Sequence, residues 1–171
     1  MFELTKPVAV ARKAPPRQGR PEPVGLELQM SRILVAHPVL ALGLDETALR
    51  AFDHFGTEQA ERLRQLVAMA QALGANGTFA ALSEQLKETS SEYDNLIAEI
   101  ATEPESDVEG DRIWLVSAVR QVKKDVLKQE LNQLFSSGLT PDQVSARYRE
   151  ITAQQQLLER EEANDIPAKF A

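Results

Sequence analysis

The sequence predicts an all-α protein in which a helical bundle is joined by a long helix to a C-terminal helical hairpin. Apolar residues recur every three or four positions through most of the 171 residues, which is the period of an amphipathic helix. No segment alternates apolar and polar residues as a half-buried strand does. A stop-and-restart signal separates the last two predicted helices, Arg112–Phe135 and Thr140–Glu162.

The turn of the predicted hairpin is specified residue by residue. Gly138 can adopt the left-handed conformation that ends a helix. Thr140 can cap the next helix, Pro141 suits its first position, and Gln143 completes a capping box with Thr140. A tight turn between two long amphipathic helices predicts that they pack antiparallel.

The bundle is predicted from shorter helical segments between residues 24 and 102. In the first, Leu26, Met30, Ile33 and Leu34 fall on one face, and Pro38 ends the helix. Further helices are predicted to start after residues such as Asp45, which can act as an N-cap. Their predicted ranges are Glu46–Phe55, a helix from Thr57 onward, Thr78–Lys87 and Ser90–Thr102.

The predicted long helix changes character along its length. Apolar residues cover nearly all sides of Ile113–Val119, so this half is expected to be buried inside the bundle. Beyond Val119 the apolar stripe becomes narrower, so one partner helix is enough to cover it. The last helix supplies a stripe with 4-3-4-3 spacing, expected to face the long helix: Val144, Tyr148, Ile151, Gln155 and Leu158.

These patterns divide the chain into three parts. Residues 1–23 contain five prolines and are predicted to be a flexible basic linker. Residues 24–126 are predicted to form the bundle subdomain, and residues 127–171 the hairpin subdomain with a short tail. The linker carries five basic side chains against two acidic ones, a net +3, which leaves −10 for the remainder.

The composition narrows the class of protein. An acidic body argues against strong direct binding to nucleic acid, because the phosphate backbone would repel it. The chain has no cysteine, which excludes disulfides, thiolate metal sites and cysteine nucleophiles and suits a cytoplasmic location. No apolar run approaches the roughly 20 residues needed to span a membrane, and no signal peptide is recognisable.

The sequence offers no constellation for catalysis. Its two histidines, His37 and His54, are not a spaced pair and are expected to be structural residues at helix ends. The acidic run from Glu103 to Asp111 is expected to favour a helix N-terminus rather than to bind a divalent ion. The glycines at Gly74 and Gly77 lack the strand, lysine and hydroxyl residue of a phosphate loop. We therefore expect a non-enzymatic protein without a cofactor or metal.

Two segments resemble a known family. Ser31–Ala41, which reads Ser-Arg-Ile-Leu-Val-Ala-His-Pro-Val-Leu-Ala, resembles the opening helix of the C-terminal domain of bacterial DnaG-type primase. Lys128–Leu131, Gly138–Thr140 and Gln154–Leu158 resemble the terminal hairpin of that domain. The resemblance spans about Leu26–Glu162 and includes the order of linker, bundle, long helix and hairpin.

The resemblance implies a helicase-binding domain. Its hairpin would dock on the N-terminal domain of the replicative DNA helicase, bring primase to the fork and stimulate the helicase. Synthesis of RNA primers would belong to other domains. The resemblance also implies that the bundle contacts the acidic tail of single-stranded-DNA-binding protein. That contact requires basic residues near the first helix, which offers only Arg32, with Glu27 nearby.

The last helix carries the predicted helicase-binding residues. Arginine and tyrosine dominate interface hot spots, which favours the cluster Arg147-Tyr148-Arg149, although a solvated helix face explains such a cluster equally well. Recognition by a helix uses anchors at positions i, i+3 or i+4, and i+7. The predicted binding residues are Arg147, Tyr148, Ile151, Thr152, Gln155, Leu157, Leu158 and Glu159.

Part of this set is expected to hold the hairpin together instead. Val144, Ile151 and Leu158 are the residues most suited to an internal position. Two other classes of function also remain open from the sequence: a helical adaptor or scaffold with a different protein partner, and a small helical enzyme or metal protein.

Overall fold

The structure is a computed structural model that describes residues 25–165. These residues form seven α-helices and contain no strand, which confirms the all-α prediction. The helices are α1 (Leu26–Ala36), α2 (Glu46–Ala51), α3 (Thr57–Leu73), α4 (Phe79–Thr89), α5 (Asp94–Thr102), α6 (Val108–Leu134) and α7 (Pro141–Asp165). Short 3₁₀ turns at Pro38–Gly43, Phe52–Phe55, Gly74–Asn76 and Ser91–Tyr93 link several of them.

Helix α3 lies at the centre of the bundle. Its residues Leu63, Leu66 and Val67 are completely buried, and the helix packs against α1 and the 3₁₀ turn that follows α1. Met30 and Leu34 of α1 are also completely buried, as their spacing predicts. The aliphatic core therefore forms where the apolar faces of α1 and α3 meet.

The turns of the bundle follow from local chemistry. Asp45 Oδ1 accepts the N–H of Ala48 at 2.8 Å and so caps α2, as predicted. Thr78 caps α4 through the N–H of Ala81. Gly56 adopts φ +94° between the 3₁₀ turn and α3, a conformation that L side chains rarely adopt.

Replacing Asp45 by alanine is expected to lower the free energy of unfolding by about 1 kcal/mol at pH 7, because α2 loses its cap. Hydrogen bonds from Thr47 and the Ala48 N–H, helped by Lys123, hold the pKa of Asp45 below its ordinary value of 3.8. The charged carboxylate thus stabilises the fold above that value, and its contribution is lost as the pH falls through the lower, folded pKa. Urea unfolding at pH 7 and near pH 3 should show the difference between wild type and Asp45→Ala shrinking in acid.

Asparagine provides the control for this change, because it keeps a side-chain acceptor at the cap. At pH 7 we expect Asp45→Asn to be clearly less destabilising than Asp45→Ala. Equal losses in the two variants would show that the hydrogen bond to Ala48 does not stabilise α2.

Helix α6 begins four residues before its predicted start. The side chain of Asp107 accepts the N–H groups of Glu109 (3.2 Å) and Gly110 (3.1 Å) and so caps the helix at this earlier point. Glu109 and Asp111 then lie in the first turn, where negative charge favours the helix dipole. The acidic run thus includes the N-cap of α6 and part of its first turn.

The expected burial of the whole Ile113–Val119 half of α6 is wrong. Leu115 and Val119 are buried against the bundle, but Ile113 is 58% exposed and Val116 is 41% exposed. The bundle covers only one side of α6, and Ile113 and Val116 lie on another side, toward the end of α7. The density of apolar residues along a helix does not reveal how many of its sides have a partner.

The hairpin turn has the predicted chemistry. Gly138 has φ +71°. The Thr140 N–H donates to Gln143 Oε1 at 3.0 Å, and the Gln143 N–H donates back to Thr140 Oγ1 at 3.4 Å. This reciprocal pair is a capping box, and Pro141 occupies the first position of α7.

Helices α6 and α7 pack antiparallel, as predicted, with an apolar centre. Ile151 of α7 is completely buried, and Leu127 and Leu134 of α6 are nearly so. Ion pairs join the two helices from the hairpin turn to the end of α7: Arg147 with Glu130, Lys124 with Glu162, and Arg120 with Asp165. Because these pairs run down most of α6, α7 returns as far as the bundle.

The described residues do not test the whole of the predicted domain organisation. The predicted linker 1–23 and the last residues of the predicted tail, 166–171, fall outside the described residues. Helix α6 continues without interruption through the predicted boundary between residues 126 and 127. The division into bundle and hairpin subdomains therefore stays a prediction.

Candidate functional site

All eight predicted binding residues lie on α7, but they have different environments. Arg147 is half-buried and donates to Glu130 Oε2 at 2.5 Å and to Glu150 Oε2 at 2.7 Å. These two carboxylates, Glu150 first, hold the pKa of Arg147 above its ordinary value. Arg147 is therefore an arginine whose hydrogen bonds connect α7 to α6.

Ile151 is at the centre of the contact between the two helices of the hairpin. Its side chain is completely buried, as expected for an internal residue. Thr152 is half-buried, and its hydroxyl donates to the carbonyl of Tyr148 at 2.8 Å, within α7 itself. In the described structure Ile151 packs α7 against α6, and Thr152 forms its hydrogen bond within α7.

Three of the predicted residues are exposed. Tyr148 is 46% exposed, Leu157 is 56% exposed, and Glu159 is also exposed. Gln155 and Leu158 are half-buried at the edge of the hairpin contact. Exposed tyrosine and leucine side chains are available to a partner without any rearrangement of the hairpin.

Tyr148 lies at the edge of the stripe that was expected to face α6, and its side chain is 46% exposed. Tyr148 precedes Ile151 by three residues, which places it about 60° around the helix from the buried side chain. That offset puts its ring at the edge of the stripe rather than at its centre. The 4-3-4-3 spacing correctly identified Ile151, while Tyr148 contributes to the outer surface.

The hairpin turn exposes two apolar residues that were not in the predicted set. Phe135 is 76% exposed and Leu139 is 43% exposed, and they lie on either side of the Ser136–Gly138 turn. Aromatic residues are enriched in interface cores, so an exposed phenylalanine is informative. The sequence feature that could have indicated this exposed side chain is a phenylalanine directly before a polar turn. We call Phe135, Leu139, Tyr148 and Leu157 the outer apolar set.

A groove of about 750 Å³ lies between the hairpin and the short helix α2. Val126, Leu127, Leu157 and Leu158 supply apolar walls from the hairpin, and residues including Arg50 and His54 line the bundle side. Sequence spacing within α7 could not reveal this groove, because it depends on α7 returning to the bundle.

The basic residues of α6 are largely paired with carboxylates. Lys123 Nζ lies 3.7 Å from Asp45 Oδ1, and Lys124 pairs with Glu162. The Lys124 ammonium holds the pKa of Glu162 below its ordinary value. These lysines therefore help to hold α6 to its neighbours rather than form an unpaired basic face.

A second cleft lies beside α1 and contains a histidine, a serine and an aspartate. His37 Nε2 is 2.8 Å from Ser106 Oγ and 3.2 Å from Asp111 Oδ2, and Ser106 Oγ donates to the same Asp111 oxygen at 2.8 Å. A catalytic triad uses both ring nitrogens, one for the nucleophile and one for the carboxylate. Here one nitrogen meets both partners, so the cluster lacks the geometry that activates a serine.

Neither a metal-binding cluster nor a membrane-spanning helix is present among the described residues. Within residues 25–165, no group of three or more histidine, aspartate or glutamate side chains could hold a metal ion. None of the helices described above is both long and apolar enough to cross a membrane.

Comparison with known families decides the family of this chain. Residues 27–151 match the model of the DNA primase DnaG DnaB-binding family. The chain belongs to this family. The matched region covers the bundle, α6, the hairpin turn and the first part of α7 up to Ile151. No curated protein and no solved structure was found to match.

Membership confirms the predicted family. The match includes the segments Ser31–Ala41, Lys128–Leu131 and Gly138–Thr140, and it ends before Gln154–Leu158. The family consists of protein-interaction domains of a replication primase. Membership in this family supports a helicase-binding role for the chain. Binding of a protein needs an accessible surface rather than a cavity with catalytic groups. The four side chains of the outer apolar set are accessible on the hairpin.

Proposed function

We propose that this domain docks DNA primase on the N-terminal domain of the replicative helicase and modulates helicase activity during primer synthesis at the fork. The observation that carries the proposal is the match of residues 27–151 to the DnaG DnaB-binding family. On this proposal the domain itself is non-catalytic, and other parts of the primase synthesise the primer.

The proposed docking surface is the hairpin turn together with the exposed sides of α7, on which Tyr148 and Leu157 lie about 180° apart around the helix. It contains the outer apolar set, which is accessible in the described structure. Large apolar and aromatic side chains that become buried on association contribute most of the energy of an interface. Thr152, Gln155, Leu158 and Glu159 would surround these anchors as the partly polar rim of the interface.

Arg147 and Ile151 have an indirect role in this proposal. Arg147 bonds to Glu130, and Ile151 fills the space between α6 and α7. Both would position the exposed sides of α7 rather than bind the helicase. We therefore assign them as positioning residues within the predicted set.

The contact with the acidic tail of single-stranded-DNA-binding protein stays a prediction. Arg32, the basic residue of α1, pairs with Glu103 and lies 3.3 Å from Glu99. An acidic tail would have to compete with these two carboxylates for the guanidinium. No observation in the described residues favours this second partner.

Replacement of Leu157 by alanine is expected to weaken binding to the N-terminal domain of the helicase about tenfold, because an interface anchor is lost. Leu28 on α1 is the matched control, since it is also a leucine on a helix and is 49% exposed against 56% for Leu157. Titration calorimetry should show Leu28→Ala within about twofold of wild type, as expected for a side chain outside the interface.

The same titration with Tyr148→Ala should show a loss of at least about tenfold, since tyrosine is a frequent hot-spot residue. If Leu28→Ala weakened binding while Leu157→Ala and Tyr148→Ala did not, the docking surface would lie on the bundle instead. If wild type did not bind the helicase at all, the remaining alternative would be a helical adaptor with a different protein partner.

A further inference from the structure

An apolar surface on α6 lies outside both the bundle and the outer apolar set. Ile113 is 58% exposed and Val116 is 41% exposed. They line a groove of about 520 Å³ between α6 and the last turn of α7, together with Arg112, Ser117, Arg120, Glu162 and Asp165. Exposed neighbouring isoleucine and valine side chains gain free energy when another apolar group covers them.

Helix α7 brings the chain directly to this groove. Asp165, the last described residue, pairs with Arg120, whose side chain is only 11% exposed. One turn before it, Glu162 pairs with Lys124. Because α7 runs antiparallel to α6, its end at Asp165 points along α6 toward Val116 and Ile113.

The next six residues have the length to reach the apolar surface. Arg120 and Ile113 are seven residues apart on α6, a distance of about 10 Å. Six residues span about 9 Å as a helix and up to about 20 Å when extended. Their sequence is Ile166-Pro167-Ala168-Lys169-Phe170-Ala171, which includes two large apolar side chains.

We propose that residues 166–171 bind in this groove, with Ile166 and Phe170 covering Ile113 and Val116. The groove's occupant is then a segment of the same chain. A segment attached at Asp165 has an effective concentration in the millimolar range, so modest apolar contact is enough to keep it bound. The consequence is that the distal end of α7 is fastened to the part of α6 that packs on the bundle. This inference does not depend on helicase docking.

Engineered cysteines can test the proposal directly, because the natural chain contains none. Ser117 lines the groove and is exposed, and Lys169 lies in the proposed occupant, so the pair Ser117→Cys and Lys169→Cys leaves all four apolar residues in place. Mild oxidation of the dilute full chain should give a disulfide within the monomer, detected by mass and by mobility on a non-reducing gel.

The matched control moves one cysteine to Arg160, an exposed residue of α7 that lies about 180° around the helix from the buried Ile151 and so faces away from α6. The pair Arg160→Cys and Lys169→Cys should oxidise more slowly than the groove pair. Adding Phe170→Ser to the groove pair should slow its oxidation about tenfold, because the serine cannot replace the apolar contact of the phenylalanine.

Three results would overturn the proposal. Equal rates for the Ser117 and Arg160 pairs would mean that the segment samples the surface without a preferred site. An unchanged rate after Phe170→Ser would show that apolar contact does not hold it. Disulfide-linked dimers in place of monomers would identify a second copy of the chain as the occupant of the groove.

Discussion

Truncation at Ser136 is expected to abolish binding of this DnaG domain to the N-terminal domain of the helicase, with a loss of about 100-fold or more. The shortened chain lacks α7 and therefore all eight predicted binding residues. It also lacks three of the four residues in the outer apolar set, and the loss of two hot spots alone accounts for a change of this size. Titration calorimetry with the intact and truncated chains measures it.

The truncated chain requires a test of its own fold. The bundle core is formed by residues before the hairpin, with Leu63, Leu66 and Val67 at its centre, so its helical circular dichroism should persist. A folded truncated chain that binds the helicase as tightly as the intact one would exclude the hairpin as the docking site.

Replacement of Ile151 by alanine is expected to lower the free energy of unfolding by about 3 kcal/mol, in the range for an isoleucine whose removal leaves a cavity. Ile151 is completely buried between α7 and α6. Urea unfolding followed by circular dichroism, with hydrogen exchange along α7, should show that the hairpin opens more readily than the bundle. Binding to the helicase should weaken as a consequence, because fewer molecules present an ordered α7.

Leu157→Ala is the matched control for stability, since Leu157 belongs to the same helix but is 56% exposed. It should change the free energy of unfolding by less than about 0.5 kcal/mol, as surface substitutions usually do. Equal destabilisation by the two variants would contradict the assignment of Ile151 to the hairpin core and Leu157 to its surface.

Local chemistry made the hairpin predictable from the sequence. Gly138, Thr140 and Gln143 act on backbone groups within a few residues, so their roles do not depend on the rest of the fold. The completely buried residues of α1 and α3 were likewise visible as helical spacing, because the same face of a helix meets the core wherever the bundle forms. The resemblance to the family was visible in Ser31–Ala41 and in parts of the hairpin, and the match of residues 27–151 then established the family.

Contacts between distant elements were not predictable in the same way. The pairing of Arg147 with Glu130 depends on the register between α6 and α7. The exposure of Ile113 depends on how far along α6 the helix α7 covers it. A single sequence fixes neither the register nor the number of sides on which a helix is covered. For this reason the predicted site mixed positioning residues such as Ile151 with surface residues such as Tyr148, and omitted Phe135.

The most direct test of the proposed docking is a hydrogen-exchange footprint of the domain in complex with the helicase N-terminal domain. We expect slower exchange in α7 and at the turn around Phe135 and Leu139, with α1 and α3 unchanged relative to the free domain. Protection confined to α1 and the cleft around His37, with α7 exchanging as in the free domain, would contradict docking through the hairpin.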